Sequence, residues 1–228
     1  MYGIKLKVWG DYALFTRPEL KVERVSYDFL TPSAARGILD AIYWKPAIRW
    51  VIDKIHIINE IQFTNIRRNE VSEVMKESKA NKVVKDGGEY SIVATQNRHQ
   101  RAAMVLKDVC YVIEAHFELT GEKSDDNDEG AKKHYNIALR RMRQGQFHHK
   151  PCLGTREFSA NFEIIESDND IPSSSLVGER NFGYMLYDMG YNVKPKRGEA
   201  NVAPSFFNAK ANDGICDLTL LSKEEVFQ

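Results

Sequence analysis

The chain has 228 residues, 43% hydrophobic and 28% charged, a balance that supports one large or two small soluble domains around a packed core. Lysine plus arginine and aspartate plus glutamate each number 32, which excludes a general polyanion sink. No apolar run approaches the ~20 residues of a membrane span, and the widely spaced Cys110, Cys152 and Cys216 fit reduced thiols better than a disulfide scaffold or zinc site.

At the start, Ile4, Leu6 and Val8 alternate with Lys5, Lys7 and Trp9. MYGIKLKVWG therefore reads as a half-buried strand rather than a signal peptide, and a cytoplasmic protein with no membrane association is expected. In TPSAARGILDAIYWKP, Thr31 caps a helix with Pro32 in its first turn. Ala35, Ile38, Leu39 and Ile42 face the core, and Pro46 ends the element near Tyr43 and Trp44. AIRWVIDKIHIINEIQF predicts a long strand bent or broken near Asn59. Residues from about 66 to 98 form a polar, charged insertion, with VSEVMKE a candidate helix and DGG a turn. It reads either as a segment ordered against RNA or another subunit, or as mobile surface.

RAAMVLKDVCYVIEAHFEL is the next strand, with Tyr111, Ile113, Ala115, Phe117 and Leu119 in strict alternation. A helix follows beyond Asp128. Tyr135, Ala138, Leu139 and Met142 form its apolar stripe, Arg140, Arg141 and Arg143 stay solvated, and Gly145 ends it. REFSANFEIIE gives another strand. Later, DNDIPSSS reads as a turn, and GYMLYDM and ICDLTL as short strands joined by NVKPKRGEAN and loops. The order strand, helix, strand, strand, helix, strand predicts an α+β fold. Residues 1–166 form a ferredoxin-like (RNA-recognition-type) domain, and 167–228 a small beta-rich C-terminal extension.

Charge is segregated along the chain. Between Glu129 and Glu157 lie seven basic residues, Lys132, Lys133, Arg140, Arg141, Arg143, Lys150 and Arg156, against two carboxylates. A solvated face is the bland explanation; a surface that guides a phosphate backbone is the sharp one. Lys133 and His134 fall in the predicted helix's first turn, where free backbone amides bind phosphate and a lysine is electrostatically awkward without an anion. Histidine exchanges protons near neutral pH and fits general acid–base work. Tyr43 stands at the other helix's end, where its hydroxyl can orient a ribose hydroxyl or donate to a phosphate oxygen. Its alternative role is an amphipathic ring at a domain edge. Trp44 suits stacking on a base or core packing, and Tyr27 is an exposed-loop candidate.

Neither an HExxH helix, a paired CxxC motif nor a Walker loop is present. His148 and His149 are a weak metal signal and fit a polar or basic surface better. His56 and His116 sit on the wetter sides of alternating strands, and His99 lies in a polar loop suited to RNA contact.

GDYALF at 10–15, IYWKP at 42–46, GAKKHYNIALRR at 130–141 and LGTREF at 153–158, taken in this order, resemble one family across most of the chain. It is the CRISPR-associated repeat-processing subunit of type I-C systems, the Cas-five-d or Dvulg type. The resemblance implies a ferredoxin-like domain with a smaller beta-rich part. It implies a metal-independent endoribonuclease that cuts CRISPR precursor repeat RNA, leaving 2′,3′-cyclic phosphate and 5′-hydroxyl ends, with no cofactor. The family's catalytic tyrosine matches Tyr43, and its adjacent lysine and histidine match Lys133 and His134. Lys132 is an additional basic residue, and register with His134 favours Lys133. Lys132, Arg140, Arg141, Arg143, Lys150 and Arg156 are then RNA-positioning residues. The implied partners are repeat RNA, mature crRNA, the type I-C backbone and large subunits, and target DNA indirectly through that complex. A noncatalytic crRNA-end-binding assembly subunit is the main alternative. A small-molecule enzyme using the same three side chains is a third.

Overall fold

A computed structural model of the chain describes residues 2–20, 22–121, 130–191 and 202–227. The alternating segments become strands β1 (Gly3–Ala13), β2 (Arg24–Val25), β3 (Ile48–Ile57), β4 (Gln62–Val71), β5 (Arg98–Leu119) and β6 (Asn161–Ile164). Strands β7 (Glu179–Tyr191), β8 (Val202–Asn212), β9 (Ile215–Asp217) and β10 (Val226–Phe227) follow. The helices are α1 (Pro32–Ile42), α2 (Glu77–Asp86) and α3 (Gly130–Arg143). The result is a mixed α+β fold built on one large sheet. Among the described residues, no helix is long and apolar enough to cross a membrane.

Strand β5 is the spine. Its C-terminal half pairs antiparallel with β1, Leu6 opposite Ile113, and with β3, Trp50 opposite Phe117. Its N-terminal half pairs with β4, Phe63 opposite Leu106. The two halves meet at Asp108, which adopts φ 51, and the Asn59 side-chain amide donates to its carbonyl at 2.7 Å. Aspartate tolerates that left-handed conformation better than most residues. The same junction explains why AIRWVIDKIHIINEIQF splits into β3 and β4 around Asn59, as its sequence leads one to expect.

The sheet runs β10-β8-β9-β3-β5-β1-β6, with β7 on β8 and β6 antiparallel to β1. Ile4, Leu6, Val8, Ile113 and Ala115 pack in one core with Ile38, Leu39 and Ile42 of α1 and Ala138 and Met142 of α3. Both helices therefore cover the same sheet face. The opposite face carries Lys5, Lys7 and Glu114, and a smaller cluster of Cys110, Val112, Ile58 and Ile165. Met185, Phe207 and Cys216 join the main core, so the C-terminal strands extend the same molecule.

Some expectations shift. The insertion holds a helix, but at Glu77–Asp86 rather than over VSEVMKE, and α2 buries none of its residues. Gly87, at φ 75, ends it within the expected DGG turn. ICDLTL is strand only through Asp217, whose side chain then caps a 3-10 turn by accepting from the Thr219 N–H at 3.0 Å. Strand β8 replaces an expected loop; Phe207, Ala209 and Ala211 are its buried alternate residues.

Candidate active site

Helix α1 delivers Tyr43. Thr31 Oγ1 accepts from the Ala34 N–H at 3.2 Å, Pro32 occupies the first turn, and Ala35, Ile38, Leu39 and Ile42 are buried. Tyr43 leaves the helix in an extended conformation, φ −150 and ψ 115, while its N–H still donates to Leu39 O at 2.8 Å. The Trp50 indole N–H, from β3, donates to Tyr43 O at 2.8 Å. The backbone of residue 43 is thus held by two elements.

Helix α3 delivers the histidine. It ends as expected: Gly145, at φ 63, donates to Met142 O at 3.3 Å, and the Gln146 N–H to Arg141 O at 2.8 Å, a Schellman arrangement. The buried stripe is His134, Ala138 and Met142, with Tyr135 and Leu139 only half-buried. The helix is therefore turned slightly from the expected Tyr135-centred stripe. A histidine faces inward because a polar partner awaits it there. Tyr43 Oη and His134 Nδ1 form a hydrogen bond of 2.7 Å, and each residue is only 2% exposed. The His134 ring lies 6.4 Å from that of Phe117 in an edge contact, and Phe117 packs edge-on against Trp50 at 5.5 Å.

Tyr43 and His134, which are 91 residues apart in sequence, are thus brought together. Lys133, next to His134 in the chain, is exposed and shares an open surface depression with Lys132, Asn136, Ile137 and Arg140, whose lining includes neither Tyr43 nor His134. Lys150 and Arg156 are exposed as well, and Arg143 is held by Glu166 at 2.7 and 3.1 Å. That carboxylate raises Arg143's affinity for its proton, and Glu166 in turn is held below the usual carboxylate range by Arg143. Arg141 departs from the expected solvated position. It is half-buried, its Nη1 donates to Ile42 O at 2.8 Å, and its guanidinium carbon lies 5.3 Å from the Tyr43 ring centroid.

Trp44 is 56% exposed, which rules out core packing and leaves its ring open to stacking. Tyr27 is the reverse. Instead of standing in an exposed loop it is 2% exposed beneath the Arg17 guanidinium, 4.7 Å away, and burial pushes its hydroxyl's pKa upward. The backbone N–H groups of His148 and His149 both donate to Ala41 O, at 2.9 and 3.0 Å, tying this segment to the end of α1. His56 and His116 are buried or nearly so, paired with Glu114 at 2.6 Å and Asp53 at 2.9 Å, not on a wet face. Among the described residues, no group of three or more His, Cys, Asp or Glu side chains is placed to hold a metal ion. The three cysteines are free thiols, and burial raises all three, Cys216 to about 12. None is poised as a nucleophile.

Sequence reasoning missed Trp50 and Phe117 as walls of the pair and the inward turn of Arg141. The signal for Arg141 was present in its spacing: seven residues from His134 returns to nearly the same side of a helix.

The family described as CRISPR-associated protein (Cas_Cas5) matches residues 3–218. A CRISPR pre-crRNA endoribonuclease Cas5d of Mannheimia succiniciproducens is 46% identical over 228 residues, covering 98% of this chain and 97% of that protein. Its namesake from Thermus thermophilus is 36% identical over 240 residues, covering 100% and 96%. In fold, the chain is similar to a crystal structure of a CRISPR-associated protein, with TM-score 0.68, 24% identity, and 99% and 96% of the two chains covered. A functionally uncharacterized protein from Streptococcus mutans gives TM-score 0.66 at 24% identity, covering 95% and 91%. Matched along nearly its whole length, this chain belongs to the Cas5d family of CRISPR-associated proteins.

Proposed function

We propose that this chain is an endoribonuclease that cleaves the repeat portions of CRISPR precursor RNA and retains the processed crRNA within a type I-C surveillance complex. The observation that carries the reading is the 2.7 Å Tyr43–His134 bond, with the exposed Lys133 next to His134 in sequence, in a chain 46% identical to a pre-crRNA endoribonuclease. The sheet segment β6-β1-β5-β3, antiparallel throughout with α1 and α3 on one face, supports a ferredoxin-like domain through residue 166. The β-rich remainder is proposed as its extension, with the complex's backbone and large subunits as neighbours and target DNA reached only through them.

In the proposed reaction the ribose 2′-oxygen attacks the adjacent phosphorus, and the P–O5′ bond breaks. The products are a 2′,3′-cyclic phosphate and a 5′-hydroxyl. No metal is chemically required, because RNA carries its own nucleophile and in-line alignment supplies part of the acceleration. Lys133 stabilises charge on the phosphorane. His134 carries one of the two proton transfers, taking the 2′-hydroxyl proton as a neutral imidazole or giving one to the leaving 5′-oxygen as an imidazolium, and Tyr43 assists the other. Tyr43 orients that ring or the 2′-hydroxyl. Lys132, Arg140, Arg143, Lys150 and Arg156 position the RNA backbone. Because both rings are 2% exposed, the reading requires repeat RNA to open the site on binding.

The same burial favours a second reading, in which the Tyr43–His134 pair is a structural tie and the chain binds a crRNA end without cutting. Purified protein incubated with labelled repeat RNA, with and without EDTA, decides between them. Cleavage in both arms with cyclic-phosphate and 5′-hydroxyl ends supports the proposal. Tight binding with intact RNA overturns it in favour of the second reading.

A further inference from the structure

Arg141 has the charge of an RNA contact but not the position of one. It follows His134 by seven residues, or about 700° of α-helical rotation, so the two share a side of α3 about 10 Å apart along its axis. Tyr43 lies between them. Its hydroxyl is held at one end by His134 at 2.7 Å, and its ring lies under the Arg141 guanidinium at 5.3 Å. The same guanidinium donates to Ile42 O at 2.8 Å. Ile42 is the last residue of α1, so this carbonyl belongs to the final turn, whose acceptors lack helical partners and attract positive charge. One side chain thus spans the end of α1 and the face of the ring that follows it. Its neighbours behave differently: Arg140 is exposed, and Arg143 is turned outward to Glu166.

We infer that Arg141 is a positioning residue for Tyr43, fixing the tyrosine ring against His134, and that it does not contact the RNA backbone. The inference rests on the reading of Tyr43 and His134 as the reacting pair. Two features of arginine suit it to the task. The planar guanidinium can lie over a ring while one N–H reaches sideways to a carbonyl, and it keeps its charge in a half-buried position. Lysine supplies the charge and N–H donors without the flat face. The Trp50 indole holds the Tyr43 carbonyl from the other side. Without Arg141 the backbone of residue 43 is therefore still anchored, while the ring loses the guanidinium that packs over its face and shifts relative to His134. A drift of about 1 Å in a reacting group is enough to lower a rate by roughly a hundredfold.

The test is a double-mutant cycle on single-turnover cleavage of labelled repeat RNA, with Arg141→Met, Tyr43→Phe and the double variant, each measured below its own melting temperature. Arg141→Met keeps the packing stem and removes charge and donors. It should slow cleavage about tenfold to a hundredfold, with RNA affinity and its salt dependence unchanged within about twofold. Arg141→Lys should recover part of that loss. In the Tyr43→Phe background, Arg141→Met should add little, since residues that act through one another are non-additive. Independent, multiplying effects overturn the inference. So does a drop in affinity with a shallower salt dependence and an unchanged saturating rate, which would make Arg141 an RNA contact. If Arg141→Met fails to fold, the cycle is run with Arg141→Lys and the same outcomes decide. A Tyr43→Phe variant that cuts at the wild-type rate is a different failure: it removes the underlying reading of the site, whereas a slow Tyr43→Phe with additive Arg141 effects removes only this inference.

Discussion

Replacing Tyr43 with phenylalanine deletes one oxygen and keeps the ring that fills the end of α1. That oxygen makes the 2.7 Å bond to His134 at a position 2% exposed to solvent. Removing one partner of such a buried bond costs about 1–3 kcal/mol of stability, which in a chain of this size lowers Tm by roughly 2–4 °C per kcal/mol. Domains have about 5–15 kcal/mol to lose, so the variant stays well over nine-tenths folded at 25 °C. Unfolding therefore cannot reduce cleavage by more than a small fraction. A group that transfers or steers a proton contributes about 10²–10⁴-fold, and single-turnover cleavage should fall into that range while repeat-RNA binding changes little. The two effects are separable in one experiment: thermal melting reports the lost bond, and product formation at saturating protein reports the chemistry. A variant that melts lower but cuts at the wild-type rate would make the Tyr43–His134 pair a structural tie and refute the catalytic assignment.

Other outcomes follow from the same structure. Burial raises Asp40 to about 6, against an ordinary 3.8, with Arg36 opposing and Asp188 reinforcing the shift. The folded state thus holds this proton more tightly, and stability from this source is fullest below about pH 4, is lost as pH rises to about 6, and stays lower above. Asp40→Asn should stabilise the protein at pH 8 by about 1–2 kcal/mol, discounted because the side chain is 35% exposed, and confer no gain at pH 4 in denaturant titrations. Gly154 adopts φ +88 with Leu14 O only 2.0 Å from where a Cβ would stand. Gly154→Ala should therefore cost about 3 kcal/mol or more, read as a lower denaturation midpoint. Arg140→Ala and Lys150→Ala should each weaken repeat binding and reduce the salt slope by about 0.7–0.9, without changing the rate at saturation. A 2′-deoxy nucleotide immediately upstream of the cut should bind normally and resist cleavage; normal cutting would reject attack by the internal hydroxyl.

What could be read from the sequence is local. Thr31, Pro32 and the stripe Ala35, Ile38, Leu39 and Ile42 state helix α1 from its cap to its end, because capping and periodicity act within a turn or two. Gly145 states the end of α3 for the same reason. The pairing of Tyr43 with His134 has no local signal, since their separation is closed only by the sheet that carries both helices. Polar groups hide their burial: His134 was left out of the apolar stripe by residue type, and a tertiary hydrogen bond turns it inward. Strand β8 was concealed by Pro204, Asn208 and Lys210, which interrupt its hydrophobic text while Phe207, Ala209 and Ala211 still reach the core. The site residues themselves came from short motifs read together, and the geometry of Arg141 came from neither motif nor composition.

The two adjacent lysines at the start of α3 provide the last test, because helix geometry separates them. At about 100° per residue, Lys133 projects a quarter turn from His134, while Lys132 is about 160° away, on nearly the opposite side. Both are exposed and both line the depression that also holds Arg140. Of the two, Lys133 is the nearer in rotation to the ring that would serve the scissile phosphate. Charge stabilisation in the transition state needs that proximity, whereas attraction of an RNA backbone does not. Lys133→Ala should therefore lower the single-turnover rate by about 10²–10³, the loss expected for one donor at a developing charge, and weaken binding modestly. Lys132→Ala should leave the saturating rate within about twofold and act on affinity and its salt dependence alone. The comparison is internally controlled: the two variants remove the same charge from the same helix turn and both improve helix propensity slightly. Equal rate losses from both would mean that the lysines act as general electrostatic field. A larger loss from Lys132 would reverse the register on which the placement of the phosphate beside His134 depends.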